Sequence, residues 1–424
     1  MIVQIIIPIQ VLYVNAGNSI YILCSIRFSD KMYKYNSAPE RLLFAVVRVK
    51  TSEGEVNDQM SNNLDAVRNA AILIPSLEPD GRLPEYIRQL SESGFGRIVV
   101  VDDGSGEGYQ PVFDEVASIG RAVVLHHDVN HGKGVALKTG YRYIMENLPD
   151  VTGVITADAD GQHTVSDCIR LAEKLTEGEH AVYLGSRDFG LPDIPPKSRT
   201  GNRITSTVFK LLYGVWLPDT QTGLRAFRRE DLPFMMNVAG ERYEYEMRVL
   251  IACATSGIPM IPITIETIYE NGNEGTHFHP IRDSYRIYKV ILGGFFRFMS
   301  ASLICFVVDQ LLAFALREWL LPAAGFAVGS LVNTHISGYG ARLCSSLLNF
   351  QLNRRFVFRL RGSAKKAIWR YFVLCILIIT VSNMCVWLLG KIGMVGWLAK
   401  MIVDTLLYFL SYRVQRQWVF REEG

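Results

Sequence analysis

Two carboxylates one residue apart, Asp158 and Asp160, follow the apolar run 154–157. A strand that stops at an acidic turn exposes its last side chains at the edge of a sheet, and carboxylate oxygens are the ligands that Mg²⁺ and Mn²⁺ prefer. The pair therefore predicts a grip for a divalent metal that carries a diphosphate. Short Asp-x-Asp pairs also form solvated turns and helix caps, so the pair alone leaves that alternative open.

From residue 71 onward, short apolar runs alternate with amphipathic stretches of helical length. This order favours parallel strands with right-handed crossovers, and hence an open α/β sheet. Such sheets bind ligands at the carboxyl ends of their strands. That rule places Pro75, Asp102 and Asp103 on the same rim as the acidic pair. The predicted strands are 71–75, 97–101, 122–126 and 151–157, and the predicted helices are 83–93, 109–118 and 133–147.

The apolar residues are unevenly distributed along the chain. In a sequence of 424 residues with a net charge of +3, the runs 291–316, 371–390 and 395–412 are long and mostly uncharged. About 20 such residues cross a bilayer, so these runs predict membrane spans. The near-neutral charge argues against nucleic acid as the main partner. The seven cysteines are isolated and lack the paired spacing of zinc or redox sites.

An internal repeat organises the last third of the chain. Residues 349–358 match residues 411–420 position by position in type, which predicts two helical hairpins with four spans. The paired spans are 296–316 with 326–350, and 371–390 with 395–412. The loop between the hairpins is basic and has no acidic residue, so the positive-inside rule puts it and both termini in the cytoplasm. Its basic residues are Arg354, Arg355, Arg359, Arg361, Lys365, Lys366 and Arg370.

The charged residues Asp309, Arg342 and Asp404 lie within the predicted spans. An unpaired charge is costly inside a bilayer, so we expect these side chains to form ion pairs or to line a polar path for a head group. In the repeat, Arg342 corresponds to Asp404, which predicts a similar depth in the membrane for the two charges.

These patterns divide the chain into four parts. Residues 1–69 fit neither a signal peptide nor a span, and we expect an N-terminal extension outside the functional fold, with a genuine appendage as the alternative. Residues 70–280 form the α/β domain, in which the Pro-rich stretch 191–197 is expected to be a mobile loop. Residues 281–294 are a basic amphipathic connector at the membrane surface, or a plain connecting helix, and residues 295–424 are the transmembrane domain.

Six ordered motifs in this sequence resemble glycosyltransferase family 2, in its branch of dolichol-phosphate mannose synthases and bactoprenol-phosphate glycosyltransferases. The resemblance covers about residues 70–290, and residues 291–424 resemble the GtrA-like membrane family through the segment 349–358. The motifs are Ile74-Pro75, Val100-Val101-Asp102-Asp103-Gly104-Ser105, Asn130-His131-Gly132-Lys133-Gly134, Asp158-Ala159-Asp160-Gly161-Gln162-His163, Gly185-Ser186-Arg187 and Asp219-Thr220-Gln221-Thr222-Gly223.

The resemblance implies a GT-A fold and an inverting transfer of a sugar from a nucleotide diphosphate to a polyprenyl phosphate, undecaprenyl or dolichyl, for cell-surface glycan synthesis. It implies that Asp158 and Asp160 hold Mg²⁺ or Mn²⁺ and that Gln162 positions the diphosphate or the acceptor. Asp103, with Asp102, is expected to contact the nucleoside. It also implies a plasma-membrane enzyme whose catalytic domain is cytoplasmic and whose membrane domain helps to translocate lipid-linked sugars, and homo-oligomerisation stays open.

An anionic acceptor beside an anionic donor requires cations, and guanidinium groups bind phosphate in a bidentate manner. The candidates are Arg187, Arg199 and Arg203, together with Lys133 near the phosphates. A phosphate acceptor needs no dedicated general base. Asp219 would be the base only for a hydroxyl acceptor, and it is otherwise expected to order the site, with Gln221 near the sugar.

Two adjacent positions depart from the family, which usually reads Asn-Glu after the first strand. Glu78 and Pro79 stand there, so the nucleotide contact beside Pro75 falls to Glu78 or Asp80 after a small shift.

Three other functions each account for part of the sequence. A dinucleotide-binding oxidoreductase is disfavoured because the glycines at 104–108 have the wrong spacing and follow paired acids. A processive polysaccharide synthase would need a Gln-x-x-Arg-Trp motif after the catalytic domain, and residues 415–418 only approach it. A regulator of lipid-sugar export that binds the nucleotide sugar without turnover is the remaining alternative.

Overall fold

A computed structural model of the chain describes the backbone of residues 9–15, 20–26 and 43–49, and residues 65–421 except 177–178, 192–193, 195, 267–279, 359 and 361–363. The chain divides into two units, residues 1–68 and 69–424. In the first unit, three strands pair in an antiparallel meander: β1 (Ile9–Asn15), β2 (Ile20–Ile26) and β3 (Leu43–Val49). Most of the predicted N-terminal extension therefore lies outside the described residues. In the predicted loop 191–197, residues 192, 193 and 195 also lie outside them.

The second unit is built on a seven-stranded sheet in the order β10-β8-β9-β7-β4-β5-β6. All its neighbouring strands are parallel except β9, which runs antiparallel between β7 and β8. The prediction of an open, mostly parallel sheet is confirmed. The strands are β4 (Ala70–Ser76), β5 (Ile98–Asp102), β6 (Ala122–His126), β7 (Gly153–Thr156), β8 (Val182–Arg187), β9 (Arg225–Arg228) and β10 (Met260–Ile265).

Helices cover both faces of the sheet. The central strands β4, β5 and β7 are buried almost throughout, which explains their unbroken apolar runs. Helix α3 packs so closely on β4 that a Cβ at Gly140 would meet Leu73 at 2.1 Å. The helices are α1 (Arg82–Glu92), α2 (Gln110–Ser118), α3 (Lys133–Asn147), α4 (Val165–Thr176), α5 (Pro196–Tyr213), α6 (Leu232–Asn237) and α7 (Glu244–Ser256).

Four long helices follow the sheet: α8 (Pro280–Ala315), α9 (Leu331–Leu352), α10 (Ala364–Lys391) and α11 (Gly396–Val414). The expected connector at 281–294 is not a separate element, because α8 runs through it without a break. In the described part of the chain, the stretches Ser284–Ala323 and Ala364–Lys391 are long and apolar enough to cross a bilayer. Four spans therefore stay a prediction.

The two helical hairpins end in the same local structure. A π-helical turn at Asn353–Val357 follows α9, and another at Gln415–Val419 follows α11. The buried amide of Asn353 donates to Gln415 Oε1 at 3.1 Å and so joins the two turns. The residues that match in sequence therefore also take part in one contact between the hairpins.

Aromatic side chains join α8 to α11, and a tyrosine joins α5 of the α/β domain to α8. Phe295 of α8 stacks on Phe409 with centroids 4.8 Å apart, and Phe298 lies 5.3 Å from Tyr412. At the end of α5, the hydroxyl of Tyr213 donates to the carbonyl of Ile291 at 2.8 Å. These contacts belong to one hydrophobic core that extends from the sheet to α8 and α11.

Candidate functional site

The ends of three strands meet at one edge of the sheet, and two of these strands, β5 and β7, lead into acidic residues. In the register, Ser76 at the end of β4 lies beside Asp102 at the end of β5, and Leu73 lies beside Thr156 at the end of β7. The backbone N–H of Asp103 donates to the carbonyl of Ser76 at 2.8 Å, so this residue is still tied to the end of β4. The candidate residues therefore lie at the carboxyl ends of the parallel strands, as the strand order predicted.

Asp102 and Asp103, the candidates for nucleoside contact, are both buried and hydrogen-bonded within the protein. Asp102 accepts hydrogen bonds from the backbone and hydroxyl of Ser105 at 2.9 and 2.6 Å, and contacts His126 Nδ1 at 2.9 Å. Asp103 contacts His127 Nδ1 at 2.8 Å. It also accepts from two backbone N–H groups of the loop before α3, those of residues 131 and 132 at 3.1 and 2.7 Å. The two carboxylates order the rim, and their contact with a nucleoside stays a prediction.

The segment after β4, whose sequence differs from the family pattern, also reaches this rim. The backbone N–H of Glu78 donates to Ser105 Oγ at 2.8 Å, and Glu78 has a left-handed φ of 50°. The Glu78 side chain is exposed, as a nucleotide contact would require, and Pro75 is half-buried. Asp80, the other candidate, is engaged with Arg82 at 2.7 Å, and this pairing lowers the pKa of Asp80.

The two carboxylates after β7 have different surroundings. Asp158 contacts Lys133 Nζ at 2.7 Å through Oδ1 and His163 Nε2 at 3.2 Å through Oδ2. Asp160 accepts one hydrogen bond among the described residues, from the backbone N–H of Gln162 at 3.1 Å. Burial would raise the pKa of Asp158, but the positive charge of Lys133 holds it well below its usual range. Burial and the neighbouring charge of Asp158 raise the pKa of Asp160.

A glycine makes room for this arrangement. A Cβ at Gly223 would lie 2.3 and 2.5 Å from the two carboxylate oxygens of Asp158. The carbonyl of Gly223 accepts a hydrogen bond from the hydroxyl of Thr156 at 2.8 Å, which ties the glycine turn to the end of β7. The turn before β9 therefore forms a wall of the acidic site that only glycine permits.

Lys133 stands between two carboxylates that are distant in sequence. Its ammonium group contacts Glu246 Oε2 at 3.1 Å as well as Asp158, and the side chains of Lys133 and Glu246 are 17% and 14% exposed. The two negative charges raise the pKa of Lys133 against the effect of burial, so the amine stays protonated. Glu246 was not among the residues predicted from the sequence, and no local motif marks it.

Arg187 and Asp219 form a two-pronged ion pair. The guanidinium donates to the fully buried Asp219 through Nε at 2.7 Å and through Nη2 at 3.1 Å. Arg187 also lies over the ring of Phe189, at 5.2 Å from its centroid. Asp219 accepts the backbone N–H of Gln221 at 2.9 Å, and the Gln221 side chain is exposed. Asp219 therefore fixes both a cation and the turn beside it.

Helix α5 contributes the remaining cations and a clamp. Arg199 and Arg203 are exposed on its first two turns, and Arg199 donates to the carbonyl of Leu191 at 2.7 Å. The buried Asn202 accepts from the backbone and hydroxyl of Thr220 at 3.1 and 3.2 Å. The helix that presents the arginines therefore also holds the turn that carries Asp219.

Comparison with known proteins agrees with this division into a site domain and a membrane domain. Residues 72–233 match the family described as glycosyl transferase family 2, and residues 297–420 match the GtrA/DPMS transmembrane domain.

Three relatives illustrate the match to the catalytic domain. An uncharacterized protein of Methanocaldococcus jannaschii is 28% identical over 225 residues, which are 52% of this chain and 90% of that protein. The UDP-N-acetylglucosamine–dolichyl-phosphate N-acetylglucosaminyltransferase of Methanococcus voltae is 25% identical over 47% of this chain and 85% of its own length. The undecaprenyl-phosphate mannosyltransferase of Micrococcus luteus is 27% identical over 45% of this chain and 81% of its own length.

The rim of carboxylates, the cations beside it and the two family matches lead to one assignment. Residues 72–233 form a glycosyl transferase family 2 domain, and residues 297–420 form a GtrA/DPMS transmembrane domain.

Proposed function

We propose that this glycosyltransferase moves a sugar from a nucleotide diphosphate donor to a polyprenyl phosphate, with inversion at the anomeric carbon, at the cytoplasmic face of the plasma membrane. The observation that carries the proposal is the Asp158–Asp160 pair on the sheet rim of a chain that continues, through α8, into a transmembrane domain. The names of the dolichyl-phosphate and undecaprenyl-phosphate relatives support the acceptor class.

The site suits a divalent metal shared with the donor. Mg²⁺ is commonly held by one or two carboxylates together with substrate phosphates rather than by a complete protein cage. Among the described residues, no group of three His, Cys, Asp or Glu side chains forms such a cage. Asp160, with one backbone partner, offers the more accessible carboxylate, and Asp158 is the second candidate ligand. Bound there, Mg²⁺ or Mn²⁺ would neutralise charge on the departing diphosphate.

In the proposed reaction, an oxygen of the polyprenyl phosphate forms a bond to the anomeric carbon while the bond from that carbon to the diphosphate oxygen breaks. The nucleoside diphosphate leaves with the electron pair, and no proton has to be removed from the acceptor. Arg199 and Arg203 are exposed and are assigned to the acceptor phosphate. Arg187 is assigned to charge near the sugar and diphosphate, where Asp219 fixes its orientation, with Gln162 and Gln221 as polar neighbours of the substrates.

The test uses the purified full-length protein with Mn²⁺, a polyprenyl phosphate and a panel of nucleotide sugars. Formation of a lipid-linked sugar that Asp160→Ala reduces by at least 100-fold would support the proposal, and NMR of the product would report the anomeric configuration. Asp114→Asn is the matched control, because Asp114 is exposed on α2 and, within the described part of the chain, hydrogen-bonds only to Gln110. Nucleotide binding without product over the whole panel would refute it and favour the regulator.

The membrane domain supports a second part of the proposal, assistance in moving the lipid-linked sugar. In the first hairpin, Asp309 contacts Arg342 at 3.4 Å and accepts from Ser345 at 2.8 Å beside a cavity of about 130 Å³. In the second, Asp404 contacts Lys400 at 2.8 Å beside a cavity of about 300 Å³. Arg342 and Asp404 occupy equivalent places in the repeat, yet each takes its partner within its own hairpin.

These two polar clefts are proposed to accept the head group of the lipid-linked sugar within the bilayer. Reconstituted vesicles loaded with the labelled lipid product would test this step. Loss of movement in Asp309→Asn and Asp404→Asn with transfer unaffected is the expected result, and unchanged movement in both variants would eliminate the role.

A further inference from the structure

Lys133 occupies the place next to Asp158 that a metal would compete for. Its ammonium group lies 2.7 Å from Asp158 Oδ1 and 3.1 Å from Glu246 Oε2, so a small rotation of the side chain exchanges one carboxylate for the other. Two cations on one carboxylate repel each other strongly at low local dielectric. A metal that binds Asp158 therefore weakens the hold of Asp158 on Lys133.

The backbones that carry these side chains are fixed against each other. A Cβ at Gly134 would lie 2.6 Å from Tyr245 Cβ and 2.9 Å from the carbonyl oxygen of Glu241, so the start of α3 is pressed against the start of α7. The backbone N–H of Val135 donates to that carbonyl at 3.1 Å. Because the helix ends are locked, any response to a new charge falls to the flexible Lys133 side chain.

We propose that Lys133 is a movable counter-cation: it neutralises Asp158 before the metal arrives and transfers to Glu246 when a divalent metal binds the acidic pair. Glu246 is then a positioning residue, which acts on the metal site only through Lys133. This inference rests on the proposed metal site and adds residues outside the ligand set.

The proposal predicts opposite effects of two single substitutions on the binding of Mn²⁺ alone. Lys133→Met removes the competing cation and is expected to tighten Mn²⁺ binding about tenfold, whereas Glu246→Gln removes the alternative partner and is expected to weaken it about tenfold. The measurement is electron paramagnetic resonance of free Mn²⁺ during titration of the full-length protein in detergent. Lys138→Met is the matched control, because Lys138 lies on the same helix and donates to the carbonyl of Gly240.

A double substitution separates movement of Lys133 from a simple change of charge. If Glu246 acts through Lys133, Glu246→Gln changes Mn²⁺ affinity less than twofold when Lys133→Met is already present. If Glu246 acts on the metal directly, the same substitution weakens binding as much as in the wild type, and the proposal is overturned. Tighter or unchanged Mn²⁺ binding in Glu246→Gln alone also overturns the proposal, so the proposal can be refuted even where Lys133→Met does not fold.

The outcome is independent of the acceptor. These titrations contain neither nucleotide sugar nor polyprenyl phosphate, so failure of the transfer assay leaves the Mn²⁺ affinities interpretable. Conversely, additive effects of the two substitutions on Mn²⁺ affinity would refute the counter-cation role of Lys133 and would leave the proposed glycosyl transfer unaffected.

Discussion

Replacing Gly223 by alanine tests whether the position of Asp158 matters for catalysis. The new Cβ would lie 2.3 Å from Asp158 Oδ2, and an ordinary contact begins near 3.4 Å, so one group must move by about 1.1 Å. The glycine is held by Thr156 on one side and by its buried neighbour Leu224 on the other, whose carbonyl accepts from Gly185 at 2.8 Å. The carboxylate is therefore the group that shifts.

A misplacement of about 1 Å at a reacting centre costs roughly 10²-fold in rate, which corresponds to about 2.7 kcal/mol in activation free energy. We expect Gly223→Ala to lower kcat for sugar transfer by about this factor and to leave the thermal transition nearly unchanged, because the φ of Gly223 is not left-handed and the strain is confined to one side chain. Initial rates at saturating donor and acceptor, together with thermal unfolding in detergent, measure the two quantities.

Gly96→Ala is the matched control, since no atom lies within 4 Å of its new Cβ and Gly96 is in the turn before β5. Its rate should equal that of the wild type. A Gly223→Ala enzyme that keeps its rate within threefold would refute the reasoning, because the acidic site would then tolerate a displaced Asp158.

Three further predictions concern the clamp, the buried thiols and the topology. Asn202→Ala removes the hydrogen bonds that hold the turn with Asp219. We expect the transfer rate to fall at least tenfold in initial-rate assays and the free energy of unfolding to fall by about 1–3 kcal/mol in denaturant. An unchanged rate would contradict the role of Asn202 as a clamp. Burial raises the pKa of Cys253 to about 12, so at pH 8 roughly one thiol in 10⁴ is a thiolate. Mass spectrometry should therefore find Cys253 unlabelled by maleimide until the protein is denatured. Equal labelling before and after denaturation would show that the thiol is not buried. The topology is tested in a variant otherwise free of accessible cysteines. A cysteine at Lys365 should react with an impermeant maleimide only after the cells are opened, whereas one at Gly393, in the turn between α10 and α11, should react in intact cells. The reverse pattern would contradict the proposed orientation.

The parts of the fold that local patterns specify are the parts that sequence predicts well. Strand β6 and helix α3 have the bounds expected from the sequence, because each is a continuous periodic run that ends at a polar or glycine-containing turn. The rim follows from them, since parallel strands with helical crossovers put their carboxyl ends together. Asp158 and Asp160 could therefore be placed before any coordinates.

Long-range packing accounts for what the sequence did not reveal. Strand β9 is four residues with arginine at both ends, and only pairing with β7 and β8 makes it a strand. Glu246 lies on a helix whose approach to α3 depends on Gly134 and has no signature in spacing. The partner of Asp404 was also missed, because Lys400 lies one helical turn away within a run that hydropathy treats as a uniform span.

The contact between Tyr213 and the end of the second hairpin has a consequence for the order in which the protein matures. Gln417 donates to the carbonyl of Tyr213 at 2.9 Å across 204 positions of sequence, and the guanidinium of Arg416 lies 4.4 Å from the Tyr213 ring centroid. During synthesis, every strand of the catalytic sheet leaves the ribosome well before residue 417. Helix α5 thus gains its last partners only once both hairpins have been synthesised, so the packing around this helix is completed only after the whole sheet has been made.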